Sequence, residues 1–540
     1  MSLSQPNHPG PSTARRWIVG PVIGLFGVVA YLPQCTYPFV YDDVSIISKN
    51  PTVTGGAWLD CLTEPYWPRD LGFDPLYRPV TTASLRLNYA LFGDRPLGYR
   101  VTNALLHAVC SALVALLALR LWPAGRGGGE QRRRGWVGWI AGLVFAVHPL
   151  HAEAVALVVG RAELLAALFS LWLIYRHVGY LAGPRRPSIR YHLITTLLLL
   201  LAIGSKEHAV LIFPAVVGLD IWARRTGRTR TPFRERVNRL ARSRYLGLIA
   251  AVAGFLFARW LIFGGHTTLP ADLVSPLANP LVSASAVTQV AAAAALLFLA
   301  LRLFFLPIGL CPIWSVGGFD LPAGPWRADV LIGALLAMAM IGLAIVGLRR
   351  RWTTGLLVGL TGLFVILPCH FVPAANWLFA ERWLYLPSAF LTLVVVRLIS
   401  ILPRPRAVFA AMLLAVGGLF AINWQYQQSW RSNLDLGRSV IARHPDSYHG
   451  LIAYVHGLKD RGELASAKEQ IDRLIERFPH SPRSWYYQAL LMDALDRPQE
   501  ALDAIGKYVW VDGPNPLTKE LTAVRKRARS RLEGRRARSP

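Results

Sequence analysis

Residues 136–177 read WVGWIAGLVFAVHPLHAEAVALVVGRAELLAALFSLWLIYRH. Two apolar runs, Trp136–Val147 and Glu163–His177, flank a turn, His148–Arg161, that carries two histidines, a glutamate and an arginine. A bilayer core selects runs of about 20 apolar residues. Ionisable side chains at the edge of such a run are costly and are kept for function. The stretch therefore predicts two membrane helices joined by a chemically equipped turn.

The same alternation extends both ways. Upstream lie a first helix at about Trp17–Leu32 and a run at Tyr99–Trp122. Downstream come Tyr191–Ile203, Val210–Trp222, Tyr245–Phe263, Val287–Leu306, Val330–Leu348, Thr354–Leu367, Leu384–Ile401 and Ala407–Trp424. Beyond Trp424 no run is long enough to cross. Of 540 residues 53% are hydrophobic and 16% charged, against about 25% charged in a soluble domain. The fold expected is all-α: a polytopic membrane domain over 1–424, tetratricopeptide-like helices over 425–520, and a basic, disordered tail over 521–540.

The net charge of +27 raises nucleic acid as a partner, but the arginines cluster between apolar runs and no zinc-ligand spacing or groove-reading helix accompanies them. Nucleic acid is set aside in favour of membrane lipids. The basic segments Arg126–Arg134, Arg185–Arg190, Arg224–Arg244, Arg349–Arg351 and Arg404–Arg406 belong on the cytoplasmic face, as in a multi-pass protein of the bacterial inner membrane. Arg15 and Arg16 precede the first run as in a signal peptide, but no A-x-A site follows, so it is read as an uncleaved helix. It leads to a long external loop, residues 33–98. Three runs lie between Arg244 and Arg349, and an odd number cannot return the chain to the same side. Val287–Leu306, with its costly Arg302, is read as the run that does not cross. Eleven spans result, and the C-terminal domain falls outside. Of five cysteines, Cys35 and Cys61 share that outer side, which leaves a disulfide between them open.

After the last run, Pro445 and Pro479 stand thirty-four residues apart in matching contexts, as do Ala467 and Ala501. That period is the tetratricopeptide signature. Two repeats are few for independent stability, so the pair is expected to lean on its surroundings.

Four clusters carry chemistry. The first is Asp42-Asp43, just after the first span. Adjacent side chains on an extended segment diverge, so one carboxylate can face a substrate as general base while the other is held by the loop; Asp43 is favoured as the base. The second is His148, His151 and Glu153, followed by Arg161 and Glu163. It matches no zincin spacing, so no cofactor is assigned firmly and a divalent metal is left open; phosphate or acceptor binding fits better. The third is Lys206-Glu207-His208. The fourth is Glu381-Arg382, where Arg382, like Lys206, can pair with phosphate. All four fall on one predicted face of the membrane.

Read in order, Phe39-Val40-Tyr41-Asp42-Asp43, Tyr77-Arg78-Pro79-Val80-Thr81, Arg86-Leu87-Asn88-Tyr89, Asn103-Ala104-Leu105-Leu106-His107, His148 through Glu163, Ser205-Lys206-Glu207 and Glu381 through Pro387 resemble the transmembrane and tetratricopeptide-repeat O-mannosyltransferases and their bacterial relatives, of the GT-C glycosyltransferase superfamily. The resemblance implies a GT-C fold and transfer of a sugar, mannose by analogy, from a polyprenyl-phosphate carrier to a hydroxyl of a protein, lipid or glycan acceptor. It implies that Asp42 and Asp43 are the catalytic motif. Arg78, His148, His151, Glu153, Arg161, Lys206, Glu207 and Arg382 are then the candidates for binding donor phosphate or acceptor. The repeats are shorter than in animal members, and no recognisable family motif occurs in Ala271–Pro276. A transporter would carry its charges at the midplane and show matching halves. An assembly scaffold built on the repeats would need neither the aspartate pair nor the charged turns.

Overall fold

The computed structural model describes residues 11–69, 76–122, 136–182, 188–225, 240–265, 275–371, 377–513 and 517–536. The segment Arg126–Arg134 lies outside them, as does at least half of each of Arg185–Arg190, Arg224–Arg244 and Ala271–Pro276. Among the described residues there is no β-strand. The chain divides into two compact units: Met1–Val274 with Ala284–Leu310 and Pro322–Gln428, and Ser275–Ser283 with Cys311–Leu321 and Ser429–Pro540.

The first unit runs through α1 (Pro11–Val29), α2 (Pro79–Phe92), α3 (Pro96–Leu121), α4 (Val137–Val147), α5 (Arg161–Ala182), α6 (Ile189–Ser205), α7 (Ile212–Arg225), α8 (Leu240–Ile262), α9 (Ala286–Phe305), α10 (Ala328–Arg350), α11 (Thr353–Val365), α12 (Tyr385–Ser400) and α13 (Pro405–Tyr426). Seven helices among the described residues are long and apolar enough to cross a membrane, or eight if the bent pair Val137–Val147 and Pro149–Ala156 is one span. The chain is a multi-pass membrane protein. The count by length is below the expected eleven: Ile189–Ser205 and Thr353–Val365 are shorter apolar helices, the apolar part Ile18–Val29 of α1 is likewise short, and α7 carries Asp220 within its 14 residues.

The run Val287–Leu306, read as non-crossing, folds as α9, a helix of 20 residues that is long and apolar enough to cross by length and composition. Arg302 sits in its last turn, and its guanidinium donates to the Ile308 carbonyl at 3.1 Å. The charge is thus at the helix end, where it costs little. α9 packs backbone to backbone on α10: a Cβ at Gly333 would meet the Ala294 carbonyl at 1.9 Å, the close approach that small residues allow in membranes. Cys35 and Cys61 are both free thiols, so the open disulfide does not form.

The break after α4 follows from Pro149. Proline has no N–H to give the carbonyl four residues earlier, here that of Phe145. His151 Nδ1–H serves that carbonyl instead, at 2.8 Å. Leu150 N–H turns to His148 Nδ1 at 3.2 Å, which frees the Ala146 carbonyl for His107 Nε2–H at 2.9 Å. Past the 51° bend, Asn103 Nδ2 lies 3.2–3.3 Å from the carbonyls of Val155, Leu157 and Val158, and Arg100 donates to that of Ala156. Arg100, Asn103 and His107 are spaced i, i+3, i+7, so one face of α3 serves the whole broken segment.

The second unit holds α14 (Asn433–Ile441), α15 (Tyr448–Asp460), α16 (Leu464–Arg477), α17 (Pro482–Ala494), α18 (Pro498–Asp512) and α19 (Lys519–Arg536). α15 and α17 begin thirty-four residues apart, and so do α16 and α18. Ala467 and Ala501 are both fully buried. The two segments that join from elsewhere in the chain steady this array. Tyr448 N–H donates to the Val316 carbonyl at 3.0 Å, and Ser315 Oγ lies 3.1 Å from Ser447 Oγ.

The tail is also corrected. Residues expected to be disordered from 521 onward continue α19 to Arg536. Leu521, Val524 and Ala528 are buried on one side. Arg527 and Arg531 pair with Asp493 at 2.6 and 3.0 Å, and Arg535 with Asp496 at 2.6 Å. Exposed pairs contribute little, so the apolar side anchors the helix. Val524→Asp should destabilise it by about 2–3 kcal/mol and open α19 to trypsin, while Arg529→Ala should leave the digest unchanged. Equal digests for both variants would refute the anchor.

Candidate active site

The loop after α1 ends in a strained residue. Tyr41 has a φ of 54°, the left-handed region that costs a side-chain-bearing residue roughly 1–2 kcal/mol. The turn sends the next two carboxylates into different surroundings. Asp43 is fully buried. Its Oδ1 accepts from Val159 N–H at 3.0 Å, its Oδ2 from Val40 N–H at 3.4 Å, and Arg100 Nη2 stands 3.9 Å from Oδ2. Burial raises its pKa to about 6, against the opposing pull of Arg100 and the amides of Val159, Val158 and Val40. Asp42 instead lines a cavity of about 260 Å³. The expectation that favoured Asp43 as the substrate-facing acid is corrected: its oxygens are committed to the backbone of the loop and of the broken segment.

The cavity wall also holds Arg78, Glu163, Lys206, Glu207, His208, Arg259 and Arg382, with Tyr66, Trp67, Trp377 and Trp383. Each cation has a carboxylate behind it. Lys206 bonds Glu163, whose other oxygen is 3.5 Å from His208 Nε2. Arg78 Nε donates to Glu207 at 3.2 Å, and Arg259 approaches the second Glu207 oxygen at 3.7 Å. Arg382 is held twice by Glu153, through its guanidinium and through its backbone N–H at 2.8 Å. Burial lowers the Lys206 pKa to about 8, with Glu163 drawing it back up. Burial alone would raise Glu207, but Arg78 and Arg259 outweigh it and hold that carboxyl below its ordinary range. Burial likewise lowers His208 to about 4 despite Glu163.

The cavity thus gathers Asp42, Arg78, Lys206, Glu207 and Arg382 from the expected set. It does not gather the rest. His148 and His151 are buried, with both ring nitrogens of each engaged: His148 Nε2–H donates to the Phe304 carbonyl at 2.9 Å, and His151 Nε2 meets Ser388 Oγ at 2.8 Å. Arg161 is buried beside Tyr99, donating to Asn103 at 2.9 Å and to the Ser84 and Tyr99 carbonyls at 3.2 and 2.9 Å. Glu153 acts through Arg382. These four, expected to bind ligand, do not line the cavity: His148, His151 and Arg161 donate to carbonyls and neighbouring side chains around the helix break, and Glu153 accepts from Arg382. His148, His151 and Glu153 do not converge on a metal, and among the described residues no other group of three such side chains does. Arg259 and Arg100 were not anticipated. A lone arginine within the run Tyr245–Phe263 was the signal for the first; Arg100, at the head of a span, resembles an interfacial anchor and gives none.

The chain is similar to a protein O-mannosyl-transferase of Caenorhabditis elegans, at 27% identity over 77% of this chain and 56% of the relative. It is similar to protein O-mannosyl-transferase TMTC4 of Mus musculus, at 28% over 85% of the chain and 66% of the relative, and to TMTC1 of Homo sapiens, at 26% over 82% and 53%. The chain therefore spans about half to two thirds of the length of these curated relatives. No family model matches it, and no solved structure does. The family resemblance read from the motifs is shown by similarity over most of the chain.

The environment of Asp43 has a thermodynamic signature. A raised folded pKa adds stability at low pH that is lost as the pH climbs from about 4 through about 6. In detergent-solubilised protein, the stability margin of wild type over Asp43→Asn should shrink across that window by about 1.4 kcal/mol per unit. A margin independent of pH between 4 and 7 contradicts the buried ionisable carboxyl.

Proposed function

We propose that this chain is a glycosyltransferase that moves a sugar, mannose by the names of its relatives, from a polyprenyl-phosphate carrier to a serine or threonine hydroxyl of a protein. The observation that carries this reading is one cavity that sets a carboxylate, Asp42, among Arg78, Lys206 and Arg382 in a multi-pass membrane protein. Asp42 takes the acceptor hydroxyl proton. The freed oxygen attacks the anomeric carbon of the sugar, and the bond from that carbon to the phosphate oxygen breaks with inversion. The electron pair leaves on the lipid phosphate, whose charge the three cations stabilise. Because Glu207, Glu163 and Glu153 already hold them, little reorganisation is needed at the moment of reaction. Tyr66, Trp67, Trp377 and Trp383 offer flat faces to a sugar ring or an acceptor side chain. Residues 1–424 form the transferase in this reading. The helical array of 425–520 is a tetratricopeptide-like unit that handles the acceptor.

Asp42→Asn keeps the size of the side chain and removes the base. Turnover should fall about a hundred- to ten-thousand-fold with binding of a polyprenyl-phosphate sugar nearly retained, a loss confined to the transition state. Lys206→Ala and Arg382→Ala should weaken donor binding instead. A scaffold would keep its role in all three variants, so wild-type transfer by Asp42→Asn ends the proposal.

We further place the cavity on the external face of a bacterial inner membrane. Alkaline phosphatase fused after Trp424 should then be active, and activity confined to fusions near Arg234 would reverse the orientation.

A further inference from the structure

One buried polar network stands apart from the cavity. α5, α6, α7 and α8 each give one side chain to it: His177, Tyr191, Asp220 and Tyr245. His177 Nδ1 lies 2.5 Å from the Tyr191 hydroxyl, and His177 Nε2 lies 3.3 Å from Asp220 Oδ1. Tyr245 O–H donates to Asp220 Oδ2. The side chain of His177 is fully buried and that of Asp220 is 7% exposed. Glu163, in the first turn of α5, lines the cavity. His177 follows fourteen residues later, about 21 Å along the helix at 1.5 Å per residue. The network therefore belongs to the other end of α5, and none of its members lines the cavity.

A pin between four helices accounts for His177 and Tyr191, which are enclosed. Asp220 and Tyr245 do more, because both reach a second cavity. It has a volume of about 460 Å³, is flanked by α7 and α8, and is lined by Phe213, Val217, Asp220, Ile221, Tyr245 and Ile249. Phe213, Val217 and Asp220 are spaced i, i+4, i+7, one face of α7. Tyr245 is the first residue of the span Tyr245–Ile262, and Ile249 stands one turn further into it. Ile249 is 49% exposed and Ile221 41%, so this groove opens sideways on the surface that a membrane span turns to lipid. The Phe213 ring meets the Tyr245 ring edge-on at 6.5 Å. The groove thus joins an apolar, lipid-facing wall to a carboxylate and two aromatic rings at the end of a span.

We propose that this groove binds a phospholipid whose headgroup carries a primary ammonium, with the ammonium on Asp220 and an acyl chain along Val217, Ile221 and Ile249. Tyrosine at the end of a span sits at headgroup level, which sets Asp220 at the depth of the ammonium. A carboxylate offers about four acceptor sites, more than Tyr245 and His177 use, and an ammonium brings N–H donors to the rest. The faces of the Tyr245 and Phe213 rings attract the same charge. A quaternary ammonium has no N–H to give, and a purely anionic headgroup meets like charge at Asp220. His177 and Tyr245 hold the carboxylate in one orientation, so the network positions the group that selects the lipid. The site does not depend on what the cavity at the other end of α5 binds.

Thermal unfolding of the full-length protein, delipidated in detergent, tests this with dioleoyl phosphatidylethanolamine, phosphatidylcholine and phosphatidylglycerol added at equal concentration. A ligand of the folded state raises the midpoint, so phosphatidylethanolamine should raise it by several degrees more than either of the others. Ile249→Trp fills the groove from its half-exposed side and leaves the network untouched; Asp220→Asn removes the charge. Both should abolish the preference. Equal shifts with the three lipids in wild type, or a larger shift with phosphatidylcholine or phosphatidylglycerol, overturn the proposal. A preference that survives in Ile249→Trp puts the lipid elsewhere, and one that survives in Asp220→Asn means that the carboxylate does not read the headgroup; either result overturns it as well. Ile249→Trp and the wild-type comparison decide the matter without Asp220→Asn, whose network is altered.

Discussion

Inside a bilayer every backbone carbonyl that a helix leaves behind needs a donor from within the protein. That constraint organises the first unit. Pro149 stops α4, and carbonyls on either side of the break, at Phe145, Ala146 and Val155 through Val158, take side-chain donors. One face of α3, through Arg100, Asn103 and His107, together with His151, serves them. Once this segment is fixed, its own amide at Val159 can hold Asp43. Arg100, donating also to the carbonyls of Tyr37 and Pro38, ties the aspartate loop to the same place. The position of Asp42 in the cavity is the far end of a chain that begins with a missing proline N–H.

The cavity shows a related restraint on charge. Buried ion pairs add little stability, since desolvation offsets the attraction. What they supply is geometry. Glu207 sits between Arg78 and Arg259, Glu163 between Lys206 and His208, and Glu153 grips Arg382 by backbone and side chain together. The cations are held in fixed positions around the cavity by these carboxylates.

Much of this was legible in the sequence. Long apolar runs give the membrane class directly, and charges stranded between them point to Asp42, Arg78, Lys206, Glu207 and Arg382. The same signal also picked His148, His151 and Arg161, because an ionisable side chain beside a helix break looks alike whether it meets a ligand or a freed carbonyl. Alternation along the loop separated Asp42 from Asp43 but could not orient them; the left-handed turn at Tyr41 does. Arg302 marks its run as the one that stays out of the membrane, and the fold adds that the arginine stands in the last turn of α9. The tail looked disordered by composition, while its fourfold spacing of Arg527, Arg531 and Arg535 opposite Asp493 and Asp496 exists only once α17 and α19 are folded together.

The engaged imidazoles bear on how the protein meets chemical reagents. His107, His148 and His151 each give one ring hydrogen to a carbonyl, and the second nitrogen faces Tyr385, Leu150 and Ser388 respectively. None of the three offers a lone pair to an acylating agent or to a chelated metal on an affinity resin. A histidine-rich segment that looks reactive on paper is inert in the folded state. His208, which lines the cavity, is the ring among these clusters that such a reagent can reach, so labelling there reports occupancy of the cavity without interference from the histidines beside it.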